Sequence, residues 1–335
     1  MDRVIEAVNR ADLDALVRLV GLLVSDRDWE GVVLLRDRCR QALERGLQLW
    51  PAAEYAEYRL ALDAPGCYAA SVVVEGAGRF ALGPLWEVAA STHSWADLGP
   101  HLVGGPARSL AAHERVMRGE DLTGDPAIDQ GVLELPLALQ NWDPPYPPAV
   151  FGADKADFPT PRLPRLQSAR LPAAPSAVDD EESVEALLDL GRVWAEQSNG
   201  HAEAVAVAGS AEGAVAALGH AEALVCEIPG SAAVAWMAWA GASGGAYGRR
   251  RGNPAGRFSA WWAVATLAGL GWPPDPDEVG ESVAEARWLA WEPPDLAPGW
   301  GLHLAVEMPG EGLAFAVAAS DSRRDQEGSG QPPGV

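Results

Sequence analysis

The sequence has few cysteines, and their spacing suggests no chemistry. Cys39, Cys67 and Cys226 are odd in number and far apart in a chain of 335 residues. This spacing excludes the disulfide framework of a small secreted domain and a CxxC metal or redox pair. The first residues also lack the uninterrupted apolar stretch of a secretion signal, because charged side chains recur from Asp2 to Asp14. We therefore expect a cytoplasmic protein.

Basic residues are scarce as well. The chain carries 25 Lys and Arg against 47 Asp and Glu, a formal net charge of −22. Such a charge repels phosphate backbones and anionic lipid headgroups, so neither nucleic acid nor a membrane surface is an expected partner. Lys155 is the only lysine, and the other 24 basic side chains are arginines. That bias indicates a GC-rich genome rather than a function.

Motifs that fix a reaction are missing. The six histidines form no HExxH or other close pair, no GxSxG elbow occurs, and no glycine-rich turn is followed by GK[ST]. The sequence therefore predicts no catalytic residue, no metal site and no cofactor. His113 aligns with Leu110 and Met117 on one helix face, so we expect a hydrogen-bonded core or groove histidine. His303 is expected to point outward from a strand.

Residues 1–120 show helical spacing of apolar side chains. One stripe contains Leu13, Leu16, Val17, Val20 and Val24, and the next contains Val32, Leu35, Cys39, Leu43 and Leu47. Caps or first-turn prolines predict further helices over 51–62, 83–90, 94–101 and 106–118. No repeat consensus is recognisable, so we predict an all-helical array, an irregular solenoid or bundle. The segment 65–82, with Val72 to Val74, is left unassigned.

Residues 121–178 are predicted to be a connector. Eleven of the 27 prolines lie between Asp125 and Pro175. Each proline removes a backbone donor and disfavours helix before it, which excludes both a helix and a central strand. The first half is rich in large apolar residues, so it should pack across a domain surface. From Arg162 to Val178 the composition becomes rich in Pro, Ala and Ser, which marks the boundary.

Residues 179–320 predict a smaller α/β domain. A helix from Asp179 to Ser198 precedes two short apolar runs, 202–208 and 221–228, separated by a helix over 210–218. We interpret these as a βαβ unit with parallel strands. Apolar helices over 231–243 and 255–270 follow, then strands at 287–291, 300–306 and 313–318, the last two forming an antiparallel hairpin. The fold class is thus α+β or α/β, with a disordered tail over 321–335.

The two apolar helices raise the question of a membrane hairpin. The first stretch is mostly Ala, Gly and Ser, and the second is shorter than the roughly 20 residues that a bilayer requires. Buried core helices are therefore the favoured interpretation. Nine of the 14 tryptophans follow Asp180. They indicate either a core filled by large indoles or an aromatic-lined pocket, and the core is favoured.

The segment 244–257, GGAYGRRRGNPAGR, is the candidate site. It places Arg249, Arg250, Arg251 and Arg257 together without an acid, in a glycine-rich loop that leads into a helix N-terminus. Backbone N–H groups, a helix dipole and guanidinium forks suit a phosphate or carboxylate. The alternative is that these arginines form ion pairs with acids of a neighbouring element, which is the commoner fate in so acidic a chain. The acids considered are Asp275, Asp277, Glu278, Glu281 and Glu285.

Three stretches resemble a known group of proteins. WPAAEYAEYRLAL (50–62), GAGRFALGPL (76–85) and GGAYGRRRG with AGRFSAWW (244–262) are similar to a family of unknown function from GC-rich, actinomycete-type bacteria. The resemblance spans both halves but not the tail. It implies a related cytoplasmic bacterial protein, and it brings no activity, cofactor or catalytic residue.

Two functions follow from these patterns. The first is a non-enzymatic protein-binding or scaffold protein, in which the groove of the helical array or the aromatic C-terminal face holds a protein partner. The second is an enzyme or sensor that binds a small anionic ligand at the loop 244–257. The sequence alone specifies no reaction.

Overall fold

Residues 2–117 form a series of helices joined by turns and loops. The computed structural model describes residues 2–296, 298–310 and 312–323. Its first helices are α1 (Asp2–Arg10), α2 (Leu13–Ser25), α3 (Trp29–Glu44), α4 (Trp50–Asp63), α5 (Gly66–Ala70), α6 (Leu85–Thr92), α7 (Trp95–Leu98) with a 3₁₀ turn (Gly99–His101), and α8 (Pro106–Met117). The predicted helical array is confirmed.

Caps and apolar stripes explain these helices. Asp12 and Asp28 accept hydrogen bonds from the backbone N–H groups of Ala15 and Gly31 in the first turns of α2 and α3. α4 packs against α2, α3 and α6 through its small and apolar face. α1 and α5 were not predicted. In the unassigned segment, Val72 and Val73 are buried in turns rather than in a helix or strand.

The C-terminal half is built around one six-stranded sheet. After α9 (Glu181–Asp189) and α10 (Arg192–Gln197), its elements are β4 (His201–Ala208), α11 (Ala211–Ala217), β5 (Glu222–Ile228), α12 (Gly230–Ala242), α13 (Asn253–Leu267), α14 (Pro276–Glu285), β6 (Arg287–Glu292), β7 (Trp300–Met308) and β8 (Leu313–Asp321). The single helix predicted over 179–198 is broken at Gly191, which packs against Ala319. α14 was not predicted.

The predicted βαβ unit is only partly correct, because its two parallel strands are not neighbours in the sheet. With β3 (Gln167–Arg170) at one edge, the sheet order is β3-β5-β6-β7-β8-β4, and each neighbouring pair is antiparallel. β4 and β5 run in the same direction, but β6, β7 and β8 lie between them, because α11 carries the chain across the face of the sheet. The predicted hairpin is confirmed as β7 and β8, and the fold is α+β.

The two faces of the sheet pack against different helices. Trp288, Leu302, Leu304 and Phe315 belong to the core that includes α12 and α13. Successive side chains of a strand point to opposite faces, so the neighbours of these residues lie on the other face and pack with α11. They include Leu289, Trp291, Ala305 and Ala316. None of the helices that the structure describes is both long and apolar enough to cross a membrane.

The connector contributes more structure than its prolines predict. It contains a 3₁₀ turn (Gln130–Val132), a short ladder of β1 (Val150–Phe151) with β2 (Ala156–Asp157), and β3 (Gln167–Arg170), an edge strand that pairs with β5. Its apolar side chains enter both cores, Phe151 the helical one and Tyr146 the C-terminal one. The domain boundaries stay predictions. Asp321, the first residue of the predicted tail, ends β8, and 324–335 lie outside the described residues.

Candidate functional site

The loop between α12 and α13 joins the two halves of the molecule. Arg250 donates from Nε to Oε2 of Glu87 at 2.9 Å and from Nη2 to Oε1 at 2.7 Å. Glu87 lies on α6, and its side chain is 0% exposed, against 10% for Arg250. Gly252, with φ +92°, gives the loop room beside α6, since a Cβ there would collide with the Trp86 ring.

Glu87 also occupies the N-terminus of α13. Its Oε1 accepts a hydrogen bond from the backbone N–H of Asn253 at 3.2 Å, and Asn253 Oδ1 accepts one from Arg250 Nη2 at 2.8 Å. The chemistry predicted for an anion is therefore present: a guanidinium fork beside a helix N-terminus. The oxyanion held there is a side chain of the protein itself.

The other arginines of the segment have separate surroundings. Arg257 lies on α13, is fully buried, and donates to Asp143 Oδ2 at 2.7 Å and to the carbonyl oxygen of Pro136 at 3.0 Å. Arg251 Nη1 lies 3.6 Å from Asp189 Oδ2 and its side chain is 31% exposed. Arg249 is exposed and forms no ion pair with the described residues.

Three of the four arginines thus pair with carboxylates, as the alternative interpretation expected, but the partners differ from those considered. They are Glu87, Asp143 and Asp189, not the acids between Asp275 and Glu285. The four arginines do not converge on one point. Anion binding by the whole set stays a prediction, and Arg249 is the member best placed for it.

The backbone amides of the loop are occupied too. Gly245 donates to Ser243 Oγ at 3.1 Å, Ala246 to Asp321 Oδ2 at 2.6 Å, and Tyr247 to Ser198 Oγ at 3.1 Å. Asp321 is buried at the end of β8. A second internal carboxylate and two serine hydroxyls therefore accept the N–H groups that were expected to meet an external anion.

Below Glu87 the polar network continues into α8. Glu114 accepts from Arg118 Nε at 2.8 Å and from Asn253 Nδ2 at 3.3 Å through Oε1. Burial raises the pKa of the Glu114 carboxyl to about 8, and the nearby Glu87 carboxylate adds to the shift. Its Oε2 atom has no hydrogen-bond partner among the described residues.

His113 lies beside this network on the same helix. It is fully buried, and neither ring nitrogen has a hydrogen-bond partner among the described residues. The prediction of a hydrogen-bonded histidine is therefore wrong. Burial lowers the pKa of the ring to about 4, and the Arg257 charge adds to the shift. A neutral imidazole is the form that this site accommodates.

An open cleft of about 880 Å³ lies on the other side of the loop. Its walls come from residues 78–84, from the connector around Phe158, and from α12, its following loop and the ends of β6 and β7. This volume lies in the range of small-molecule sites, about 300 to 1,000 Å³.

Aromatic rings form one wall. Trp236 and Trp239 lie one turn apart on α12 with ring centroids 5.9 Å apart, and Trp300 begins β7. Trp236 Nε1 donates to the carbonyl oxygen of Gly301 at 3.0 Å, which fixes that indole. Both interpretations of the tryptophans therefore hold, since Trp194 and Trp261 are fully buried in the core while others line the cleft.

Positive charge lines the cleft. The arginines of its wall are Arg79, Arg249, Arg250 and Arg323, and Glu292 is the one acidic residue among its described lining. The Arg323 guanidinium lies over the Trp300 ring at 5.8 Å. In a chain of net charge −22, this is a local reversal of sign.

One end of the cleft reaches the opposite face of the sheet. His303 and Trp291 line it there, in edge contact with ring centroids 5.0 Å apart. His303 is 8% exposed, so the expectation that it points outward is wrong. Burial lowers its pKa to about 4, with His220 adding to the shift. The Trp291 indole N–H is buried without a partner among the described residues.

Sequence reasoning missed Arg79, Arg323 and Glu292. Arg79 lies in the segment left without assignment, where Gly76 and Gly78 adopt positive φ. Those glycines were a usable signal for a shaped loop. Arg323 was placed in the tail, and nothing in the local sequence connects it with Glu292.

Comparison with known proteins gives a family. The model described as "Family of unknown function (DUF6183)" matches residues 14–323. This span covers most of the chain, so the chain belongs to this family. No curated protein and no solved structure matches it. The resemblance to a family of unknown function is confirmed, while the actinomycete-type origin stays a prediction.

Proposed function

We propose that this member of the DUF6183 family binds a small organic anion in the cleft between its two halves. The observation that carries the proposal is the lining, which combines guanidinium groups with tryptophan rings in a strongly acidic protein. A concave, low-dielectric site lined by one sign of charge concentrates ligands of the opposite sign.

Arg249 and Arg79 are the proposed anion ligands. Both are exposed, and neither forms an ion pair with the described residues. Arg250, by contrast, forms an ion pair with Glu87. The proposal therefore keeps the small anionic ligand expected at the segment 244–257, but assigns it to the cleft side of that segment.

The tryptophan wall implies that the ligand also has a planar or apolar part. Indole faces stack on flat rings and attract cationic or apolar groups. A protein partner held by the groove of the helical array or by the aromatic C-terminal face stays a prediction, as does the cytoplasmic location. The cleft favours a small molecule, because its walls are concave and contributed by three separate parts of the chain.

A thermal-shift screen tests this function. The panel contains phenyl phosphate, benzoate, naphthalene sulfonate, nucleoside monophosphates and glucose 6-phosphate. A compound at 100 times its dissociation constant stabilises the folded state by about 2.7 kcal/mol. We expect Arg79→Ala to abolish the shift, and Arg38→Ala, at an exposed site on α3, to keep it. A panel without any shift, or equal losses in both variants, contradicts the proposal.

A further inference from the structure

The aromatic end of the cleft contains a carboxylate. Strand pairing places Trp288 opposite Val306 and Ala290 opposite Leu304. By alternation, Glu292 at the end of β6 and Trp300 at the start of β7 project from that same face. This face is covered by α12, whose Trp236 also lines the cleft. Glu292 therefore stands among indole rings.

Glu292 forms no ion pair with the described residues and is half-buried. A carboxylate only accepts hydrogen bonds, so it favours a ligand that offers N–H donors. In an otherwise cationic cleft it also repels the anionic part of the ligand. These two effects orient a ligand with its donor-bearing ring at the tryptophans and its anion elsewhere.

Arg249 supplies the other end, whereas Arg323 lies over the Trp300 ring at the aromatic end. The helix rise from Trp236 to Ala242 is about 9 Å, and the loop that carries Arg249 begins directly after Ala242. Guanidinium groups bind phosphate oxygens in bidentate fashion. The ring site and the anion site are therefore separate positions along the same wall.

We propose that the ligand is a nucleotide whose base presents adjacent N–H donors, as guanine does, with Glu292 as the residue that selects the base. The inference rests on the proposed function. The guanine ring N–H and amino group meet the two carboxylate oxygens side by side. Adenine presents a ring nitrogen acceptor next to its amino group, and that acceptor faces the carboxylate unfavourably. Arg249 and Arg79 hold the phosphate.

Calorimetric titration of the full chain with GMP, IMP, AMP and inorganic phosphate tests the inference. We expect GMP to bind at least about tenfold more tightly than AMP, with IMP between them and phosphate weakest. Glu292→Gln weakens GMP by about tenfold and leaves AMP unchanged. The control Glu281→Gln, at an exposed site on α14, changes neither. Melting temperatures of both variants verify that they fold.

The outcomes separate the two proposals. Equal binding of GMP and AMP, or an unchanged preference in Glu292→Gln, overturns the assignment of the base. If no nucleotide binds but another planar anion of the panel does, the guanine inference fails and the proposed function stands. If no organic anion binds, the proposed function itself fails.

Discussion

Arg250 and Glu87 form a bidentate ion pair across 163 residues of sequence. The pair connects α6 of the helical half with the N-terminus of α13, and Glu87 is fully buried. Asn253 joins the pair, since its backbone N–H donates to Glu87 Oε1 and its Oδ1 accepts a hydrogen bond from Arg250 Nη2. The contact therefore fixes the position of the loop. Arg249, which directly precedes Arg250 in that loop, faces the cleft.

Glu87→Gln should destabilise the protein strongly. The substitution keeps the shape of the side chain but leaves the Arg250 guanidinium nearly buried without a counter-charge. Breaking one partner of a buried pair costs about 3 to 5 kcal/mol, measured as the free energy of unfolding in urea. Glu6→Gln, in the exposed pair with Arg10 on α1, should cost less than about 1 kcal/mol. A loss below about 1 kcal/mol at Glu87 contradicts the role of this pair.

The sequence predicted the chemistry around Arg250 but not its partner. A glycine-rich, arginine-bearing loop before a helix indicates an oxyanion site, and an oxyanion lies there. Glu87 could not be predicted as the partner, because two charged residues that pair across distant segments leave no periodic pattern in the sequence. The acids nearest in sequence, such as Asp275, were the natural but incorrect choice.

The sheet shows a similar limit. Alternation predicted the hairpin of β7 and β8, whose turn is local. For β4 and β5 the intervening helix suggested a crossover to an adjacent parallel strand. The strands that separate them come from the last fifty residues, so only the complete topology reveals the antiparallel pairing. The cleft depends on that topology too, and Arg79 was not predicted for this reason.

Glu114 should make stability fall as pH rises. Its folded pKa is about 8, raised above the ordinary value of 4.5 for a glutamate carboxyl. Between these values the folded state binds more protons than the unfolded state, so the free energy of unfolding decreases with pH, by at most about 1.4 kcal/mol per pH unit. Glu114→Gln mimics the protonated form and should flatten this slope between pH 5 and 8 in urea melts. Glu281→Gln serves as the exposed control. An unchanged slope in Glu114→Gln rules out the raised pKa.

His113 should have the opposite pH dependence. Its folded pKa is lowered from 6.5 to about 4, so the unfolded state binds more protons in that window. Stability is then complete above pH 6.5 and is lost as pH falls toward 4. His113→Leu also removes two unsatisfied buried nitrogens and should stabilise the protein at pH 7 by about 1 to 3 kcal/mol. His201→Leu, at an exposed site on β4, is the control. If the stability of His113→Leu still falls between pH 6.5 and 4 as in the unchanged protein, His113 is not the cause of the acid sensitivity.

The cleft, rather than the arginine cluster as a whole, is the proposed anion site. Arg249 and Arg251 allow the most direct measurement, because they lie two residues apart in one loop and differ in surroundings. Arg249 lines the cleft, whereas Arg251 faces Asp189 outside it. The dissociation constant of the best anion in the screen should rise by about tenfold or more in Arg249→Ala and stay unchanged in Arg251→Ala. An equal or larger loss in Arg251→Ala contradicts the account.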